Sequence, residues 1–191
     1  MKKILGLCAL ASAALLVGPS LADSLTGCLP ITIKDVATLD PPRFEQFPAP
    51  LVTIAKPAAP NLASHPEAVQ FKTVLREGAR GGPNFVGQFT IIGWGCGTAC
   101  LDFGIVDAKD GHVFFPAEIR AVSVMNVAAA PDEPAPDYDA LRFRRDSNLL
   151  VLLGAPNEDE SKEGIAYYRW DGKALIPVKA YPSTKAQCAQ E

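Results

Sequence analysis

Histidine, clustered positive charge and long apolar runs are the scarce features of this chain. Its two histidines, His65 and His112, stand far apart and alone among 191 residues, which gives a metal site or a histidine-based catalytic group little to build on. Neither His-Glu-x-x-His nor Gly-x-Ser-x-Gly occurs, so the signatures of zinc peptidases and of nucleophile-elbow hydrolases are missing. The acidic stretch Asn157-Glu158-Asp159-Glu160 lacks the Asp-x-Asp-x-Asp-Gly spacing of a calcium loop and reads as a solvated hairpin tip. Asp102 and Asp107 are separated by an odd number of positions, so on a strand they point to opposite faces and do not work as an acid–base pair. Basic and acidic residues number 18 and 21, without a Lys/Arg cluster. That balance suits neither nucleic acid nor an anionic membrane surface.

One apolar run is present, and it is short. Met1-Lys2-Lys3 leads into the segment from Ile4 to Val17, broken by Gly18-Pro19 and followed by Ser20-Leu21-Ala22. A positive start, a brief apolar stretch and small residues before the cut form the pattern of a secretory signal peptide, shorter than the roughly 20 residues that span a bilayer. Residues 1–22 are expected to be removed, leaving a chain that begins at Asp23 and is destined for the periplasm or the medium. Loss of residues 1–22, Lys2 and Lys3 among them, leaves 169 of the 191 residues, with 16 basic against 21 acidic side chains and a net charge of −5. No further run is long enough to cross a membrane.

Cys8 leaves with the leader, and Cys28, Cys96, Cys100 and Cys188 remain. An even count in an exported chain reads as two disulfides, for which three connectivities exist. The favoured one pairs Cys96 with Cys100 as a tight local loop and Cys28 with Cys188 as a tie between the ends. A different fate for Cys28 is lipidation, since Leu25-Thr26-Gly27-Cys28 resembles a lipoprotein processing site. Asp23 interrupts the apolar segment that such a site requires, and lipidation would strand Cys188.

Residues 39–66 carry Pro41, Pro42, Pro48, Pro50, Pro57, Pro60 and Pro66. A segment with so few amide donors does not make a helix or a central strand. The reading is an extended arm over 23–66, with Leu51-Val52-Thr53-Ile54 as an edge strand. Ser64-His65-Pro66-Glu67 then looks like a helix start, with Ser64 as cap and Glu67 completing a capping box. Ala68, Phe71, Val74 and Leu75 follow at helical spacing, and Gly78 is the expected stop.

From Phe85 the period falls to two. Phe85, Gly87, Phe89 and Ile91 share one side of a strand, and Leu101, Phe103 and Ile105 share one side of the next. Asp110-Gly111, Asp146-Ser147-Asn148 and Asp171-Gly172 mark turns. Further strands are expected over Ile119 to Val127, Leu141 to Arg144, Leu149 to Leu153, Gly164 to Trp170 and Ala174 to Val178, with a Pro- and acid-rich loop from Pro131 to Asp137. The fold class is therefore mainly β: an antiparallel meander or sandwich of hairpins with one N-terminal amphipathic helix and a Pro-rich arm. Residues 67–191 form one β-rich domain on which the arm packs. The repeated hairpins suit a propeller blade, but the chain is too short for a full propeller.

The most distinctive stretch is Trp94-Gly95-Cys96-Gly97-Thr98-Ala99-Cys100. It resembles the W-G-C-G-x-x-C strand-and-loop motif of a family of small secreted bacterial proteins of unassigned function. Gly87 to Ile91, Ile105 to Gly111, Leu141 to Arg144, Pro156 to Glu160 and Tyr167 to Trp170 are similar to that family's other segments, so the resemblance spans about residues 84–178. It implies an exported β-rich domain and transfers no catalytic residue.

In its own right, a Cys-x-x-x-Cys loop with Gly95 and Gly97 is either a stapled turn that fixes strand register or a rigid tip for a partner's cleft. Redox pairs read Cys-x-x-Cys at a helix start, and here the spacing is one longer and the context is β. The candidate contact is the loop Trp94, Gly95, Gly97, Thr98 and Ala99, with Tyr138, Tyr168 and Trp170 as neighbouring aromatics. Tyr167 and Tyr168 must face opposite ways, so at most one is expected in the core. The expectation is a non-catalytic binding protein with a protein partner in the envelope or outside the cell, without metal or cofactor. An enzyme inhibitor is one version. A redox factor, an enzyme with a hidden site and a structural envelope protein are the alternatives.

Overall fold

The computed structural model describes residues 36–124 and 140–183. Residues 1–35, 125–139 and 184–191, and with them the expected leader, Cys28, Tyr138, Cys188 and the segment from Pro131 to Asp137, lie outside the described residues. The described residues form two four-stranded antiparallel sheets. The first holds β1 (Phe89–Gly97), β2 (Cys100–Asp107), β3 (Val113–Phe114) and β4 (Val122–Ser123). Here β1 pairs with one side of β2, while β3 and β4 share the other side. The second sheet runs in order through β5 (Leu141–Phe143), β6 (Leu149–Gly154), β7 (Gly164–Trp170) and β8 (Leu175–Pro182).

The sheets pack face to face. Ile91, Leu101, Phe103 and Ile105 from the first meet Leu150, Leu152, Tyr168, Trp170 and Leu175 from the second in one buried cluster. The two outer faces are covered as well. Helix α1 (Lys72–Ala79) and Phe71 lie on Ile92, Val106 and Val113 of the first sheet. Val36, Phe44 and Phe47 of the arm lie on Leu149, Val151, Leu153 and Tyr167 of the second. The molecule is thus four layers deep, which explains the unbroken apolar run of β6. Its alternate leucines enter alternate cores, and each burial contributes about 2 kcal/mol before entropy is counted.

Double coverage corrects one expectation. Tyr167 and Tyr168 do face opposite ways, yet they are only 6% and 8% exposed, because the arm provides a second core for Tyr167. The arm itself differs from expectation at Leu51–Ile54, which form no strand. It is held instead at two turns. Ala49 N–H donates to Asp146 O and Asn148 N–H to Phe47 O, while Ala58 N–H donates to Ala108 O and Asn61 N–H to Gly111 O.

The helix also starts differently. His65 is the cap, its Nδ1 accepting from Glu67 N–H, and a 3-10 turn over Pro66–Val69 precedes α1. Ser64 is occupied elsewhere, its hydroxyl donating to Asn61 O and accepting from Val113 N–H. Gly78 lies inside α1 rather than ending it. A β-carbon there would sit 2.6 Å from Ile92 Cγ2, so glycine is what lets the helix approach β1. Phe85 to Gln88 turn rather than extend, with Val86 at φ +43° and Gly87 at φ +71°. This reversal drops Phe85 into the inter-sheet core and delays β1 to Phe89. Of the strand expected over Ile119 to Val127, Val122–Ser123 is the part seen as strand in the described residues.

Candidate functional site

β1 and β2 form a hairpin closed by the Cys96–Cys100 disulfide, whose Cα atoms are 5.1 Å apart. Cys96 is the extra residue of a bulge between Gly95 and Gly97. Ala99 adopts φ +51° to turn the chain, and its carbonyl accepts from Val124 N–H at 2.8 Å. Cys100 pairs with Ser123 of β4. The hairpin end is therefore held at three points, while Gly95, Cys96, Gly97 and Thr98 are exposed.

Trp94 belongs to the back of this hairpin. Its indole stacks on Phe71 at 4.6 Å and meets Phe115 edge-on. Its far edge lies over Gly104 of β2, where a β-carbon would come within 3.4 Å of it. The ring is half-buried, and its Nε1 has no hydrogen-bond partner among the described residues. The second tryptophan corrects the expected binding face. Trp170 is 1% exposed and is ringed by Phe85, Phe89 and Phe114 between the sheets. Tyr168 shares that core, and burial pushes its phenol above the ordinary range. Neither can meet a partner, because both point inward from a central strand.

The front of the hairpin opens on a cleft of about 420 Å³ between β1 and β5. Its walls are Ile91, Gly93, Trp94, Gly95, Leu101, Leu141 and Phe143, none of them ionisable. Ile91 faces the inter-sheet core, and by strand alternation Gly93 and Gly95 face the same way without side chains. The cleft exists where those two side chains are missing.

β1 is also an edge strand, and its outer backbone is covered at one residue by a side chain. Asn84 Nδ2–H donates to Ile91 O at 3.0 Å and Asn84 Oδ1 accepts from Ile91 N–H at 2.8 Å. Ile91 thus points its backbone groups away from β2, and Gly93 and Gly95 do the same two and four residues on. Among the described residues no backbone group bonds to them on that side.

A charged cluster that sequence reasoning missed lies behind the hairpin. Arg120 forms a two-pronged pair with Glu67, at 3.0 and 2.7 Å, and reaches Asp102 at 3.2 Å. Its guanidinium lies 5.0 Å from the centre of the Phe115 ring. The hydrogen bond from Arg120 holds the Glu67 carboxyl below its usual range, and the two carboxylates raise the arginine further. Both prongs are taken, so this cation serves as a clamp between the 3-10 turn, β2 and the approach to β4. The available sign was Asp102 itself, a charge inside the apolar run of β2 that had to find a partner. His65 and His112 pack singly against Phe115 and Phe114.

Comparison with known protein families, characterised proteins and solved structures finds no match.

Proposed function

We propose that this chain is an exported, non-catalytic protein that binds another protein through the end of the β1–β2 hairpin and the cleft beside it. Its leader sends it to the periplasm or the medium, and the mature chain begins at Asp23. The resemblance of Trp94–Cys100 to small secreted bacterial proteins supports the same destination. The observation that carries the reading is the pairing of a pre-ordered, exposed tip with an open apolar cleft. The disulfide, the Ala99–Val124 bond and the Cys100–Ser123 pairing order the tip before any partner arrives, so association loses little conformational entropy there. An inhibitor that inserts this tip into an enzyme's cleft is one concrete form of the proposal.

The test is affinity capture from envelope and medium, with the native mature chain beside a folded Cys96→Ser/Cys100→Ser variant. A partner held by the native chain and lost from the variant supports the reading. Equal retention by both leaves the disulfide as a staple of strand register only, and capture by neither removes the proposal.

A further inference from the structure

Among the described residues, the glycines of β1 leave two things open at one place, the cleft in front and the backbone edge at the side. We infer that the edge of β1 from Gly93 onward accepts an extended segment of a partner protein as an added strand, with bulky apolar side chains at alternate positions entering the cleft. This rests on the binding reading and supplies its mode.

Three observations carry it. First, Asn84 saturates the outer backbone of Ile91 and stops there. Gly93 and Gly95 continue the edge with N–H and C=O groups in the same outward phase, a pattern that an extended backbone complements. Second, the side chains of Ile91, Leu101, Leu141 and Phe143 in the cleft wall are apolar beside the polar backbone of Gly93 and Gly95, a combination that suits a strand bringing apolar side chains into about 420 Å³. Third, the opposite edge of the molecule is defended. β8 carries Pro177, Lys179 and Pro182, with a register shift opposite Tyr167/Tyr168, devices that deter strand addition. Glycine inside a strand weakens it and often marks the approach of another backbone. A second copy of β1 is a poor occupant, because its own Gly93 and Gly95 would again bring no side chains to the cleft.

The experiment uses the full mature chain and a short capped peptide alternating threonine and leucine, read through the amide signals of Gly93 and Gly95. In the free monomer both amides should exchange quickly with solvent. The peptide should shift and protect them, and N-methylation at alternate peptide positions, which deletes donors but keeps side chains, should weaken binding about tenfold or more. Gly95→Val should keep the melting temperature and abolish peptide binding, since a β-carbon there meets nothing nearer than 4.0 Å and the rest of the side chain fills the cleft. Several results would overturn the proposal: amides already protected in the free monomer, protection that grows only with self-association, or an N-methylated peptide that binds as well as its parent. No movement of Gly93 and Gly95 at millimolar peptide would overturn it too. If the peptide fails while disulfide-dependent capture persists, strand addition falls and the binding reading stands. Loss of both removes both.

Discussion

The edge strands β1 and β8 end their sheets in opposite ways. β8 is eight residues long and shows solvent two prolines, a lysine and a bulge, each of which interrupts a regular ladder of donors and acceptors. β1 shows solvent glycines at 93, 95 and 97, a closed disulfide tip and a cleft. An edge that must stay monomeric accumulates interruptions. The edge proposed to receive a chain shows no partner for the outer backbone of Gly93 and Gly95 among the described residues. The contrast teaches that Gly95 in β1 has open space where a β-carbon would stand, whereas Gly154 and Gly164 in the second sheet are pressed against backbone.

Substitutions at paired positions sharpen that contrast. The largest effect should come from Gly164→Val in β7. A side chain there collides with the Tyr181 carbonyl oxygen and lies 2.9 Å from Pro182 Cα. We expect about 3 kcal/mol of destabilisation in urea unfolding, with the end of β8 released. Arg120→Ala should come next, at about 2 kcal/mol, because it leaves Asp102 buried without its partner and frees the turn that supports Trp94 from behind. The same clamp has a pH signature. The folded Glu67 carboxyl is depressed by Arg120, so its contribution is present above the ordinary glutamate range and is lost as pH falls through the folded value. Glu67 is partly exposed, which makes this slope shallow. Urea midpoints between pH 3 and 6 should show it in the native chain and lose it in Arg120→Ala.

Asn84→Ala should cost about 1 kcal/mol, the worth of the bonds to Ile91 less what water replaces. It should also lengthen the bare edge by one residue, seen as faster exchange of the Ile91 amide. The smallest effect on stability belongs to Gly95→Val, which we place within about 0.5 kcal/mol of the native chain because strand propensity favours valine and the space is open. Matching magnitudes for Gly164→Val and Gly95→Val would break the comparison between the sheets.

Much of the second sheet was legible in sequence. Gly164 to Trp170 reads as a strand, Asp171-Gly172 turns the chain, and β7 occupies the expected span. The Cys96–Cys100 bond is the favoured one of three possible pairings, legible from the short spacing of the two cysteines. What periodicity could not convey was coverage. Alternation assigns Tyr167 and Tyr168 to opposite faces but is silent on whether the arm buries the second face. The turn at Val86 was hidden because Phe85, Gly87, Phe89 and Ile91 alternate as a strand would, and a valine at positive φ is held there by tertiary contacts. Ser64 and His65 exchanged roles because Val113, 49 positions away, claims the serine hydroxyl. Asp102 signalled a need for a counter-charge, yet no local rule points to Arg120. The two tryptophans looked equivalent as binding residues. Their separation into a core residue and the backing of a hairpin comes from which strand is central and which is an edge.

The most direct test of strand addition at β1 is hydrogen–deuterium exchange on the mature chain with and without the threonine–leucine peptide, comparing the two edges in one experiment. New protection should be confined to Gly93 through Ala99, with β8 unchanged. Protection along β8, or at neither edge, would contradict it.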